Sequence, residues 1–490
     1  MMTSRVIWRN TRTTITIIIA AHNEEHRIAD ALISLAEQTR PADAVIVICD
    51  RCTDGTAELA ESYGARVLHT VGNTHRKAGA LNQALMTVLP SLADTDSVLM
   101  MDADTALAQD FLAIAEERVT TCGTFAVGAI FLAEATDTFG VTALQRNEYL
   151  RYAHDLRRRH ARSEVISGTA GLFPVHALRG IVDGRRGGKL PGEGYVYSLH
   201  SLTEDNELTM AAKHLGYKAA SPDGCTVVTE VMPTLKTLFY QRLRWQRGAL
   251  STLRDYGLTR TTLPYFIRQV LMYLGIMFFP FFVTVIVHAV IETGRFPWSW
   301  PWFFVSLLLI VERVWTVRAG GLRALILAIL VLPEIVYDMI QHYILLRAGV
   351  DELVRSDEHW DLAEAQGGDG GREKRWWPWL FIPAATMLTC LAAVLCILLG
   401  IQWVVIGVIV ASGIAHACLR ATPLDPLVLV YGSYQLGLPQ HSNTLQPAAV
   451  PTEELPLDER IIQALMTGDL ETAHRLYQEE TRTTTEEKKS

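Results

Sequence analysis

The chain has 490 residues, 49% hydrophobic and 20% charged, with a formal net charge of −8 spread over both signs along its length. That length accommodates about two to four domains, and the charge distribution excludes a nucleic-acid partner recruited by basic surface. Of seven cysteines only Cys49 and Cys52 form a C-x-x-C pair, so no paired-knuckle zinc site is encoded, and the thiols read as the reduced cysteines of a cytoplasmic domain.

The first fourteen residues carry Arg5, Arg9 and Arg12 but no apolar run long enough for a signal peptide. The first apolar stretch, Thr14–Ala21, is also too short to cross a bilayer, which takes roughly 20 apolar residues. Its β-branched sequence TITIIIAA predicts a strand buried on both faces. A helix is expected over 25–38, closed by Pro41, then a strand over 44–49 and a helix over 55–63 capped by Thr53 or Asp54. A short strand at 66–69, a helix at 77–89 ending before Pro90, and a strand at 97–101 follow. This alternation predicts an α/β, Rossmann-like domain over 1–231 with a mostly parallel sheet. A further helix is expected over 205–215, ended by Gly216, and another from near Pro233, which opens an interfacial segment over 232–265.

Residues 266–420 read as a C-terminal α-helical transmembrane bundle. Four spans are expected, over 270–291, 302–317, 379–399 and 403–419, with Trp298, Trp300, Trp302, Trp376, Trp377, Trp379 and Trp403 at their ends, where interfacial aromatics belong. A fifth apolar stretch, 324–346, is interrupted by Pro333, Glu334, Asp338 and His342. The links on either side of it are basic (Arg318 and Arg323 before; Arg347, Arg355, Arg372, Lys374 and Arg375 after); their charge favours both being cytoplasmic, and a fifth full crossing is the alternative. The stretch is therefore expected to lie at the inner interface or to enter and return. Residues 421–490 form a polar cytoplasmic tail with two short amphipathic helices.

Three groups of residues carry candidate chemistry. Asp102-Ala103-Asp104 follows a buried strand directly, so its carboxylates emerge at the carboxyl edge of the sheet, where open α/β sheets bind ligands. Their hard oxygens suit Mg2+ or Mn2+. Thr203-Glu204-Asp205 opens a helix; the acidic pair suits either the helix dipole alone or a general base at the helix start. Gln241, Arg244 and Trp245 share one helix face, which suits either a basic interfacial anchor or a diphosphate and a sugar ring.

In order along the chain, AHNEE (21–25), CDRCTDGT (49–56), RKAGALN (76–82), DAD (102–104), SGTAGLF (167–173), TED (203–205) and QRLRW (241–245) resemble the motifs of the membrane-bound family 2 glycosyltransferases. That group includes the hyaluronan, chitin, cellulose and poly-N-acetylglucosamine synthases, and the resemblance covers roughly residues 14–420. It implies a GT-A fold and inverting transfer from a nucleotide-sugar, a UDP-sugar by analogy, to a glycan or lipid acceptor in the plasma membrane. Carried over, Glu24 and Asp50 would hold the uridine, Lys77 a phosphate, Asp102 the nucleotide and Asp104 the metal. Gly168, Thr169 and Gly171 would shape the acceptor pocket beside Glu204, and Asp205 would be the base. Gln241 and Arg244 would meet the diphosphate and Trp245 the acceptor sugar. The chain departs from the pattern at Ala20 and His22, where a proline and an aromatic are often found, and at Trp360, whose gating-loop position has acidic neighbours in DEHWDLA.

Overall fold

The computed structural model describes residues 13–122, 125–134, 139–296, 298, 300–353 and 381–400. The Trp360 loop, the 403–419 segment and the 421–490 tail lie outside the described residues.

The first half runs β1 (Ile15–Ala21), α1 (Ile28–Ala36), β2 (Ala44–Cys49), α2 (Thr56–Ser62), β3 (Arg66–His69), α3 (Arg76–Val88), β4 (Ser97–Asp102), β5 (Ala106–Leu107) and α4 (Phe111–Cys122). Then come β6 (Phe125–Gly128), β7 (Ile130–Ala133), α5 (Val141–Arg158), β8 (Ala170–Pro174), α6 (Val175–Arg186), α7 (Glu204–His214), β9 (Lys218–Ala220) and β10 (Thr226–Thr229). Seven strands form one sheet in the order β3-β2-β1-β4-β8-β6-β9, and β5, β10 and β7 form a small second sheet.

Successive side chains of a strand point to opposite faces, and both faces of this sheet are covered. Ile15, Ile17 and Ile19 of β1 join Leu99 and Met101 of β4 in a core under α1 and α4. Ile18 joins Val98 and Met100 in a second core under α3, α6 and α7. Continuous apolar strands follow from that double burial.

The sheet is mostly parallel, as expected, with one reversed strand; β6 and β9 also pair in parallel. β1, β2, β3 and β4 pair in parallel, but β8 runs antiparallel to both β4 and β6. The reversal has a consequence for the site, because the start of β8 lies beside the end of β4, and the Asp102 N–H donates to Thr169 O at 3.2 Å.

The second half comprises α8 (Leu235–Tyr256), α9 (Leu263–Thr293), α10 (Trp300–Val317), α11 (Gly321–Leu330), α12 (Leu332–Leu353) and a last described helix, Phe381–Leu398. Thr234 caps α8 in a reciprocal hydrogen-bonded box with Thr237. Among the described residues one helix, α9, is long and apolar enough to cross a membrane, and the number rises to two if a bent pair counts as one span. That pair, Ser306–Leu330 and Leu332–Leu353, is bent by 80° inside the ambiguous apolar stretch. The break falls at Val331, with φ of 59°, followed by Pro333, which has no N–H to donate.

The acidic residues of that stretch have partners. Glu334 is 1% exposed and accepts from Asn147 at 3.2 Å, from Arg313 at 2.8 Å and from Arg151. Arg313 also bridges to Asp338 at 2.5 Å. Asn147 and Arg151 belong to α5, so the α/β domain itself satisfies the carboxylate. Removing one side of a buried pair of this kind costs about 3–5 kcal/mol.

Candidate active site

The AHNEE and CDRCTDGT turns, which follow β1 and β2, are sewn together. Asn23 Oδ1 accepts from the Thr53 N–H at 2.8 Å, the Glu24 N–H donates to Thr56 Oγ1 at 2.9 Å, and the Glu25 N–H donates to Asp54 Oδ2 at 3.1 Å. His22 Nδ1 lies 2.6 Å from Asp50 O, and Thr70 Oγ1 donates to Asp50 Oδ1 at 2.8 Å. Asn23, Arg51 and Arg76 all have positive φ (58°, 54° and 50°) at turns on this edge of the sheet. Strained backbone of this sort collects where a site fixes the chain.

Asp102 continues the Val98–Met100 parity of β4 and so points to the α3 face. There Lys77, in the first turn of α3, forms an ion pair with it. The same ammonium lies 3.5 Å from Glu204 Oε1 and 3.4 Å from Gly168 O. Gly168 donates its N–H to Asp205 Oδ2 at 2.9 Å, and the Asn206 N–H donates to Oδ1 at 2.7 Å. A Cβ on Gly168 would sit 3.0 Å from Lys77 Nζ, so a side chain there would press on the ammonium. A Cβ on Gly171 would sit 2.7 Å from Ile166 Cγ2, which fixes the next turn of the same wall. Ser167 and Thr169 hydroxyls lie 2.6 Å apart. The structure thus brings Lys77, Asp102, Gly168, Thr169, Gly171, Glu204 and Asp205 together, and Lys77, Gly168, Gly171, Glu204 and Asp205 line a cleft.

Electrostatics follow from the burial. Burial raises the Asp205 carboxyl, and Glu204 raises it further against Lys77 and its two backbone donors. Burial alone would lower the Lys77 ammonium, but Asp102 and Glu204 outweigh it and hold it charged. Burial, then Asp104, then Asp102, push Glu24 up to about 7. The two aspartates thus act on Glu24 electrostatically, while Asp102 is itself paired with Lys77. Among the described residues no three His, Cys, Asp or Glu side chains make a ready ligand set. Mg2+ is ordinarily held by one or two carboxylates plus substrate phosphates, so Asp104 and Asp102 fit such an ion.

The helix that carries QRLRW packs against the start of α7 through Gly248, outside the motif itself. A Cβ on Gly248 of α8 would fall 2.2 Å from Thr203 Oγ1, so the missing side chain is what seats α8 against the start of α7. Gln241, Arg244 and Trp245 are all half-buried on α8. Arg242, between them, is 7% exposed and lies 4.3 Å from the centroid of the Trp245 ring.

Sequence reasoning missed Tyr197. It lines the cleft, its hydroxyl is raised by burial, and its backbone exchanges two 2.9 Å hydrogen bonds with the Asn82 side chain. Tyr197 sits in an irregular glycine-rich loop with no period to flag it; Asn82, inside RKAGALN, was the available signal.

A charged cluster at the carboxyl edge of a two-faced α/β sheet defines a ligand-binding enzyme domain of the open-sheet class. Residues 12–248 match the family described as Glycosyltransferase like family 2, and the chain carries a family 2 glycosyltransferase domain. The mixed sheet is the GT-A-like arrangement expected for it. The chain is 42% identical over 90 residues to the 4,4'-diaponeurosporenoate glycosyltransferase of Staphylococcus aureus, covering 18% of this chain and 24% of that one. It is 25% identical over 254 residues to the poly-beta-1,6-N-acetyl-D-glucosamine synthase of the same species, covering 51% of this chain and 58% of that one. The chain thus spans between 24% and 58% of the length of these curated relatives. Among solved structures, the mannosyltransferase PcManGT of Pyrobaculum calidifontis, in complex with GDP-Man and Mn2+, superposes with a TM-score of 0.42 at 20% identity, covering 71% of this chain and 89% of that one. The family assignment rests on the match over residues 12–248.

Proposed function

We propose that this protein is an integral membrane enzyme of the plasma membrane, with its α/β domain in the cytoplasm, that transfers a sugar with inversion from a UDP-sugar to a growing polysaccharide and passes the product across its own helices. The observation that carries the reading is the meeting of Lys77, Asp102, Glu204 and Asp205 around the Gly168 backbone. A divalent cation held by Asp104 and Asp102 would supply charge neutralisation for the leaving diphosphate.

The remaining work falls to the chain's own groups. Asp205, with its raised basicity and its carboxylate fixed by two N–H donors, takes the proton from the acceptor hydroxyl. Lys77 faces the phosphates. Glu24 and Asp50 bind the uridine from the two joined turns. Gly168, Thr169, Gly171 and Glu204 wall the acceptor side, Gln241 and Arg244 approach the diphosphate, and Trp245 stacks on the acceptor sugar.

A second reading, single transfer to a lipid or other membrane acceptor, is favoured by the 42% identity to a glycosyltransferase named for a diaponeurosporenoate acceptor. Purified protein in detergent, offered a panel of nucleotide-sugars, decides by the mass of the product. A ladder of repeated sugar increments supports polymer synthesis. Addition of one sugar supports the second reading, and the absence of transfer from every donor overturns both.

A further inference from the structure

We infer that Glu148, Arg242 and Tyr337 form a positioning relay that sets the Trp245 ring and ties it to the membrane-side helix α12. Glu148 Oε2, on α5, accepts from Arg242 Nη2 at 2.9 Å and from the Tyr337 hydroxyl at 2.6 Å. Arg242 in turn lies 4.3 Å from the centroid of Trp245 and 5.8 Å from that of Tyr149. The relay thus runs from α12 through α5 to α8 and ends on an aromatic ring.

Each link is constrained. Arg242 and Tyr337 are 7% and 6% exposed, so neither side chain has solvent as an alternative partner. A buried guanidinium needs its carboxylate, and the fixed plane of the guanidinium favours one orientation of a ring against it. Neighbouring residues lock the same seam. Asn147 and Arg151, on the same helix as Glu148, bind Glu334, three residues before Tyr337 on α12. A shift of α12 therefore displaces Glu148 and Arg242 together.

The inference rests on the reading of Trp245 as the residue that meets the acceptor sugar, and two measurements separate the two ideas. The first uses fluorine NMR of full-length protein labelled with fluorotryptophan, the resonance of residue 245 being assigned by its loss in Trp245→Phe. Tyr337→Phe, which removes one hydroxyl, and Glu148→Gln, which removes one charge, are each expected to shift or broaden that resonance and leave those of Trp298 and Trp300, which pack on each other and on Phe303, in place. An unmoved Trp245 resonance in both variants overturns the relay. The second measures transfer to an added tetrasaccharide of the donor's own sugar. The acceptor KM is expected to rise on the order of tenfold in Tyr337→Phe, with donor KM unchanged, because binding of one substrate alone is affected. Equal loss in every parameter marks a merely structural role and overturns the relay. A moved resonance with unchanged acceptor KM keeps the contact but removes Trp245 from the acceptor site, and with it the positioning role.

Discussion

Gly168 and Asp205 lie 37 positions apart in the chain and share one hydrogen bond, from the Gly168 N–H to Asp205 Oδ2 at 2.9 Å. That bond fixes the carboxylate in the lining of the cleft, and the Lys77 ammonium lies 3.4 Å from the carbonyl of the same glycine. Asp205 and Lys77 are thereby both held against the backbone of Gly168.

If Asp205 removes the acceptor proton, Asp205→Asn keeps the shape and one of the two oxygens that accept backbone N–H bonds but cannot take the proton. Transfer is expected to fall by about 10²–10⁴-fold, with nucleotide-sugar binding retained in calorimetry. Near-normal turnover would reject the assignment. Burial, and next Glu204, raise this carboxyl, so activity is expected to fall as pH drops through its elevated folded value.

The carboxylates of Asp102 and Asp104, as the proposed ligands of a divalent cation, predict metal dependence. Chelation with EDTA is expected to abolish transfer, and added Mg2+ or Mn2+ to restore it. Asp104→Ala is expected to lose the metal-dependent part of donor binding. Undiminished activity in chelator would assign these carboxylates another role.

The bend at Val331 bears on topology. Leu322 and Leu353, on either side of it, are 73% and 83% exposed. Single cysteines at these two positions, in a background freed of the native cysteines, are expected to face the cytoplasm together. Glu334 receives a partner from the α/β domain, and the basic links flank the stretch on both sides. Modification of either cysteine by an impermeant thiol reagent added outside intact cells would place that end outside and exclude the entering-and-returning arrangement.

Lys213 gives a pH signature separate from the active site. Its ammonium nitrogen lies 3.1 Å from Ser163 O, 2.6 Å from Glu164 O and 2.6 Å from the Tyr265 hydroxyl, and burial with the nearby Arg162 pushes it down to about 7. An unfolded lysine keeps its ordinary value near 10.4. Between those values the unfolded chain binds more protons, so this group makes stability rise with pH over about 7 to 10. Urea unfolding in detergent across that range is expected to show uptake of about one proton, absent in Lys213→Met. The same slope in both proteins would clear Lys213 of that role.

Local pattern determined much of the first half. The β-branched run of β1 and the parity that aims Asp102 at α3 depend on residue type and a period of two, both readable within a few residues. The motifs likewise marked the strand and helix ends at which Lys77, Asp102, Gly168 and Asp205 appear. What they did not carry was pairing across distance. The antiparallel insertion of β8, the Asn82–Tyr197 exchange and the α5–α12 seam join segments whose partners no period announces. Glu334, an acid in an apolar stretch, could not be placed from its neighbours, because its donor Asn147 lies 187 positions away. The cost of burying its charge is met by a helix that only the folded chain brings into reach.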